Sequence, residues 1–164
     1  SLADLITIKE HQQSTKPKVV LSWAPHPKPL PHAVANSFIE WMKDEVNLII
    51  THPEGYELSS SFQAGQVIYD QDEALAQADF VYVKNWSCYS NYGQVISGLD
   101  DWTVTAEKMK LTNQGKFMHC LPIRRNVIAT DDVIDSTNSL ILEQANNRTY
   151  AAQAVLMQLL SHEN

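Results

Sequence analysis

A chain of 164 residues can bury a substantial single-domain core, and 44% hydrophobic with 19% charged residues is ordinary globular composition, which excludes a disordered or fibrous chain. A net charge of −7, with no basic run to offset it, argues against a nucleic-acid partner. Two cysteines, Cys88 and Cys120, do not make a secreted disulfide framework, and no apolar run approaches the roughly 20 residues of a membrane span. No secretory leader opens the chain, so the cytoplasm is the expected compartment and no membrane partner is expected.

Leu2, Leu5 and Ile6, at helical spacing, predict an opening helix over residues 1–8 that packs on something beyond the domain. The chain begins at Ser1 without a methionine and is expected to be a piece of a longer protein. A polar connector leads to residues 19–23, a β-branched run that reads as a buried strand. Pro25, Pro27, Pro29 and Pro31 make the next segment stiff and non-helical. Val34, Phe38, Trp41 and Met42 then place an amphipathic helix over residues 32–43. Residues 46–50 form the next strand, 67–69 a short one, and 71–77 a helix. Residues 78–83 are a clear strand that delivers Lys84-Asn85-Trp86 to its carboxyl end. A long polar loop over 87–101 precedes a short helix at 105–112 and a strand around Phe117. Thr130-Asp131-Asp132-Val133 is a capped turn of helix, 139–142 the last strand and 147–160 the last helix, with Asn146 and Asn147 as candidate caps and Arg148 at its start.

Alternating strands and helices with short connections predict a three-layer, doubly wound α/β fold: a mostly parallel sheet with helices on both faces. The predicted strand ends at Trp23, Lys84, Met118 and Leu142 would share one edge, where open α/β sheets bind ligands. His26, Lys84, Cys120 and Arg124 would then surround one cleft. No Gly-x-Gly-x-x-Gly follows any strand, so a nicotinamide cofactor is not expected.

The densest chemistry is in Phe117-Met118-His119-Cys120-Leu121-Pro122-Ile123-Arg124-Arg125-Asn126. Pro122 cannot donate to a ladder, so thiol, imidazole and guanidinium groups stand in a loop at a strand end. Guanidinium offers forked donors to phosphate or carboxylate, which favours an anionic ligand. Cys120 reads either as a small buried hydrophobe or as a reacting group, and His119 either as a core histidine or as an imidazolium that lowers the thiol pKa. Arg148 at a helix N-terminus would oppose the dipole and so calls for an anionic partner. Trp86, Tyr89 and Tyr92 line a loop over the ligand or belong to core and rim.

His119-Cys120-Leu121-Pro122 resembles the His-Cys-Leu-Pro signature of the aspartate/ornithine carbamoyltransferases, and its continuation Ile123-Arg124-Arg125-Asn126 is similar to the branch that acts on N-acylated ornithine. Trp23-Ala24-Pro25-His26-Pro27-Lys28-Pro29-Leu30-Pro31 resembles that branch's proline-rich loop, and Lys84-Asn85-Trp86 and Asn147-Arg148 recur in the expected order. The resemblance implies that residues 1–164 are the acylornithine-binding domain, with 1–8 and 146–164 as interdomain helices and the carbamoyl phosphate domain outside the chain. It implies carbamoyl transfer from carbamoyl phosphate to the δ-amine of an N-acylornithine in arginine biosynthesis, by a homotrimer that needs neither metal nor organic cofactor. Cys120 is the implied catalytic residue. Cys120, Leu121 and Arg148 would bind carbamoyl phosphate, and His26, Lys84 and Arg124 the acylornithine.

Departures from the pattern narrow the substrate. Ser90-Asn91-Tyr92-Gly93-Gln94 lacks the Asp-x-x-x-Ser-Met-Gly loop that ornithine carbamoyltransferases carry for the free amino acid. The aspartate branch has His-Pro-Leu-Pro where this chain has His119-Cys120-Leu121-Pro122. Acetylornithine enzymes tend to carry lysine where this chain has Ile128, which favours N-succinyl-L-ornithine, with N-acetyl-L-ornithine next. Two rival readings stand beside the enzyme: a non-catalytic module that binds an amino-acid derivative on the same fold, and an unrelated doubly wound enzyme with Cys120 as covalent nucleophile.

Overall fold

Val19, Val20 and Leu21 are fully buried, so the strand that carries them, β1 (Lys18–Trp23), must be covered on both faces. It lies at the centre of a five-stranded, all-parallel sheet of order β3-β2-β1-β4-β5, seen in a computed structural model that describes residues 1–62 and 64–161. The flanking strands are β2 (Asn47–Thr51) and β4 (Phe80–Lys84), with β3 (Gln66–Val67) and β5 (Lys116–Met118) at the edges. Side chains alternate between two cores as the pleat requires. Val19, Leu21, Phe80 and Tyr82 face one, with Phe38, Ile39 and Met42 of α2 (Ala33–Met42). Val20, Val81 and Val83 face the other, with Ala74 and Leu75 of α3 (Gln71–Leu75) and Val133 and Ile134 of α5 (Asp131–Ile134). Helices on both faces of a parallel sheet are the predicted doubly wound fold.

α1 (Leu2–His11) contributes Ile8 to the first core and α4 (Ala106–Met109) packs against the second. The opening helix is longer than the predicted 1–8 and consumes part of the supposed connector. Gly115 is required where the chain turns into β5, because a Cβ there would lie 2.8 Å from the Ala78 carbonyl oxygen. No helix among the described residues is long and apolar enough to cross a membrane.

The end of the chain departs from expectation. The predicted strand over 139–142 is reduced to one bridge, Phe117 to Ser139, held by Phe117 N–H to Asn138 O and Leu140 N–H to Phe117 O, both 2.9 Å. From Ile141 the chain is already helical, and α6 runs Ile141–Ser161. Leu142, expected at a strand end, is instead an exposed helical residue. Arg148 therefore lies two turns inside α6, and Asn146 and Asn147 cap nothing. Long-range contacts fix this boundary: Gln144 and Asn147 are buried against α1, where the Asn147 amide donates to Thr7 Oγ1 at 3.0 Å and to Glu10 Oε2 at 2.7 Å.

Candidate functional site

The two strand neighbours of β1 lie on opposite sides of a change in winding direction, since β1 pairs with β2 on one side and with β4 on the other. Trp23 and Lys84 are register partners at the carboxyl ends of β1 and β4. This is the topological switch point at which doubly wound sheets hold their ligands. Three of the four predicted strand ends, Trp23, Lys84 and Met118, share this edge, and Leu142 does not.

Beyond the edge, the proline-rich loop is fastened to the continuation of β4. Asn85 Nδ2 donates to Ala24 O at 2.8 Å, Trp23 Nε1 to Trp86 O at 2.8 Å, and Ser87 N–H to Leu30 O at 2.9 Å. The Trp86 indole is fully buried and donates to Tyr56 O at 2.8 Å, so it is a core residue that shapes the cleft floor. His26 folds back on its own loop, with Nδ1 accepting from Lys28 N–H at 3.0 Å. Tyr89 and Tyr92 are exposed and stack on His32 at centroid distances of 4.5 and 5.5 Å. Between these parts lies a cavity of about 310 Å³, lined by Trp23, His26, Asn85, residues 94–100 and Val127.

A second cavity, about 330 Å³, opens next to α1 and is lined by Asp4, Tyr82, Cys120, Leu121 and Arg148 among others. The predicted single cleft is thus two. His26 lines the first, Cys120, Leu121 and Arg148 line the second, and Lys84 and Arg124 line neither wall. The turn after β5 supplies Cys120 and Leu121 to the second cavity. Leu121 adopts φ +40°, a left-handed conformation rare for leucine, and precedes Pro122 through a cis peptide bond. The turn is held from behind: His119 N–H donates to Gln144 Oε1 at 2.9 Å, Gln144 Nε2 to Asp4 Oδ1 at 2.6 Å, and Leu121 N–H to His119 Nδ1 at 3.1 Å.

The electrostatics separate structural from available groups. His119 is buried, and its pKa falls to about 3, chiefly by desolvation and further by the positive groups Lys84 and His26. A neutral imidazole cannot act as an imidazolium beside Cys120, so His119 is a supporting core histidine. Burial also pushes up the Asp4 carboxyl, against hydrogen bonding from Gln144, and the Tyr82 hydroxyl. Cys120 is a free, half-buried thiol beside that hydroxyl. Arg125 is consumed by Asp131 at 2.7 Å and Asp135 at 2.6 Å. The side chains of Lys84, Arg124 and Arg148 make no hydrogen bond or ion pair among the described residues, although Asp4, on the same cavity wall as Arg148, feels the charge of that guanidinium. No group of three or more His, Cys, Asp or Glu side chains arranged for a metal occurs among the described residues.

Gln144, Asp4 and Tyr82 escaped sequence reasoning. Nothing local marks Gln144, because its partners are 25 and 140 positions away. Ile128, expected from the resemblance to bear on acyl choice, is 1% exposed and packed into the second core.

Parallel winding, helices on both faces and a cleft at the switch point define a doubly wound α/β domain. Residues 32–159 match the model of the aspartate/ornithine carbamoyltransferase Asp/Orn-binding domain, and the chain belongs to that family. It is 52% identical to the N-succinylornithine carbamoyltransferase of Bacteroides thetaiotaomicron, over 98% of this chain and 52% of that protein. It is 37% identical to the N-acetylornithine carbamoyltransferase of Xanthomonas axonopodis pv. citri, over 98% of this chain and 53% of that protein. A solved acetylornithine transcarbamylase complexed with acetylcitrulline superposes with a TM-score of 0.86 at 35% identity, covering 94% of this chain and 53% of that one. The chain spans about half the length of the curated relatives it matches.

Proposed function

We propose that the complete protein transfers the carbamoyl group of carbamoyl phosphate to the δ-amine of an N-acylated ornithine, with N-succinyl-L-ornithine preferred over N-acetyl-L-ornithine. The product is an N-acylcitrulline on a route to arginine. Residues 1–164 serve as the acylornithine-binding domain, with α1 and α6 as the interdomain helices and the carbamoyl phosphate domain supplied by the rest of the protein. The active species is a cytoplasmic homotrimer.

The observation that carries this reading is the placement of Lys84 at the carboxyl end of β4 beside Trp23 of β1 and of Arg148 on the wall of the second cavity, two cations at this end of a chain of net charge −7. Higher identity to the succinylornithine relatives than to the acetylornithine relatives supports the acyl preference. Arg148, on the wall of the second cavity, would neutralise the phosphate of carbamoyl phosphate as it becomes the leaving group. The Leu121 carbonyl, turned by its positive φ, would accept from the substrate amine and orient its lone pair toward the carbamoyl carbon. As the C–N bond forms, the C–O bond to phosphate breaks and the amine loses a proton to the departing phosphate, with the Cys120 sulfur placed to orient the amine. Lys84 and Arg124 would hold the substrate carboxylates, and His26 would form part of the wall on the acyl side.

The test is a citrulline assay of the complete protein with carbamoyl phosphate and, in turn, N-succinyl-L-ornithine, N-acetyl-L-ornithine and L-ornithine. Turnover of the succinylated substrate with the highest kcat/KM is expected. Preference for free ornithine would overturn the acyl reading, and turnover of none of the three would favour a non-catalytic binding module.

A further inference from the structure

Lys108 lies on α4, outside both cavities, and yet is half-buried with every donor used. Its three N–H groups meet three acceptors: Gln71 Oε1 at 2.5 Å, Thr103 O at 3.2 Å and the Asp101 carbonyl. Gln71, 6% exposed at the start of α3, completes the set: its Nε2 donates to Trp102 O at 3.1 Å and to Ser22 Oγ at 2.8 Å. Three successive carbonyls, of residues 101, 102 and 103, are thus each held by one of two side chains. Through Ser22 the assembly is referenced to the end of β1. Thr103 Oγ1 donates to Val127 O at 2.7 Å, which ties the same segment to the loop following Arg124.

The held segment continues directly from one wall of the first cavity. That wall carries Leu99 and Asp100 on the lining, and Trp102 stands edge-on to Trp23 at 6.2 Å. Here too the long loop after Ser87 becomes ordered into a single turn of 3-10 helix, Asp100–Trp102. Desolvation lowers the Lys108 pKa, against the nearby carboxylates of Asp72 and Asp101, so part of the ammonium's hydration is given up for these carbonyl contacts. A side chain kept there for bulk alone could be apolar. A lysine and a glutamine that converge on three carbonyls instead fix backbone position.

We infer that Lys108 and Gln71 are positioning residues for the acylated amino acid: by holding residues 101–103 they set the distance between the wall at Leu99 and Asp100 and the proline-rich loop, and so tune affinity for that substrate without touching it. The inference rests on the proposed acylornithine reading of the first cavity. Neither residue approaches the second cavity, so carbamoyl phosphate binding is independent of them.

The test uses the complete enzyme with Lys108→Met and Gln71→Glu, the latter keeping an acceptor for Lys108 while losing the donor to Trp102 O and Ser22 Oγ. In Lys108→Met the KM for the acylated ornithine rises about ten-fold or more, while kcat and the KM for carbamoyl phosphate stay within about two-fold, the signature of lost binding common to ground and transition states. Hydrogen exchange accelerates at the Trp102 and Thr103 amides, which donate to Leu99 O and Asp100 O, and not in β1 or β4. Gln71→Glu shows the same pattern at smaller amplitude, and carries both measurements should Lys108→Met fail to fold. Equal rises in both KM values, an unchanged KM for the acylated substrate, or unaltered exchange at Trp102 and Thr103 would each overturn the inference. Should no acylornithine be turned over by the wild-type protein, the functional reading fails. The exchange result then still decides whether the clamp exists.

Discussion

Arg125 closes on Asp135 with both prongs of its guanidinium, at 2.6 and 2.8 Å, while the adjacent Arg124 holds no carboxylate among the described residues. Two identical neighbours therefore have different work. Arg124→Ala in the complete enzyme should weaken binding of the acylated amino acid by about 1.5–3 kcal/mol, the usual loss of a charge-assisted pair, and leave the melting temperature unchanged. Arg125→Ala should do the reverse. Hydrogen bonding from Arg125 holds the Asp131 and Asp135 carboxyls below their usual range. Lowered folded-state values mean that this pairing stabilises fully above the ordinary carboxylate range and less as pH falls through the lowered values. The melting-point deficit of Arg125→Ala should shrink in acid, and substrate loss in Arg125→Ala alone would reverse the assignment.

His119 should stay neutral across the physiological range, with its NMR ring shifts flat until the pH approaches about 3. Between that value and the unfolded value of about 6.5 the unfolded chain binds a proton that the folded chain does not, so this residue makes stability rise with pH there. Gln144→Leu should remove the acceptor for the buried His119 N–H and cost about 1–3 kcal/mol in urea denaturation. A ring that titrates near 6.5 would mean that the turn is open to solvent.

Arg148→Ala should weaken carbamoyl phosphate binding to the complete enzyme by about 1.5–3 kcal/mol and binding of the acylated amino acid far less. Calorimetry with each ligand separately gives the comparison. Equal losses for both would place the arginine at a shared role that its position in the second cavity does not suggest.

The legible and illegible parts of the sequence divide by range. Strands β1, β2 and β4 were readable because each is a short β-branched run bounded by polar or proline signals, and their apolar residues suffice for two cores. The last strand was misread because Leu140-Ile141-Leu142 suits strand and helix alike; Gln144 and Asn147 decide it by reaching α1 from the far end of the chain. Arg124 was singled out by resemblance, since the Asp131 and Asp135 partners that occupy Arg125 follow no local pattern. Lys108 and Gln71 left no signal at all, because backbone carbonyls, which every residue has, are what they recognise.

Past Asn147, α6 buries nothing among the described residues: Val155, Leu156, Met157, Leu159 and Leu160 are each more than half exposed. Apolar side chains over a broad arc of a projecting helix form a patch that monomers rarely leave uncovered. The 164-residue chain alone should self-associate in sedimentation at micromolar concentration, and Leu156→Lys with Leu160→Lys should restore the monomer. A strictly monomeric chain with slow exchange along residues 150–160 would mean that the face is covered in some other way.

The bonds from Asn147 to Thr7 and Glu10, and from Gln144 to Asp4, join positions 137 to 140 residues apart. A ring that encloses nearly the whole chain closes late, since its entropy must be met before its bonds return anything. These contacts should therefore be absent when the sheet first assembles. Asn147→Ala is expected to leave the refolding arm of a chevron in place and to raise the unfolding arm. The clasp then acts as a latch on the lifetime of the native state, and a chain released before its last helix is made would fold at the same speed and come apart sooner.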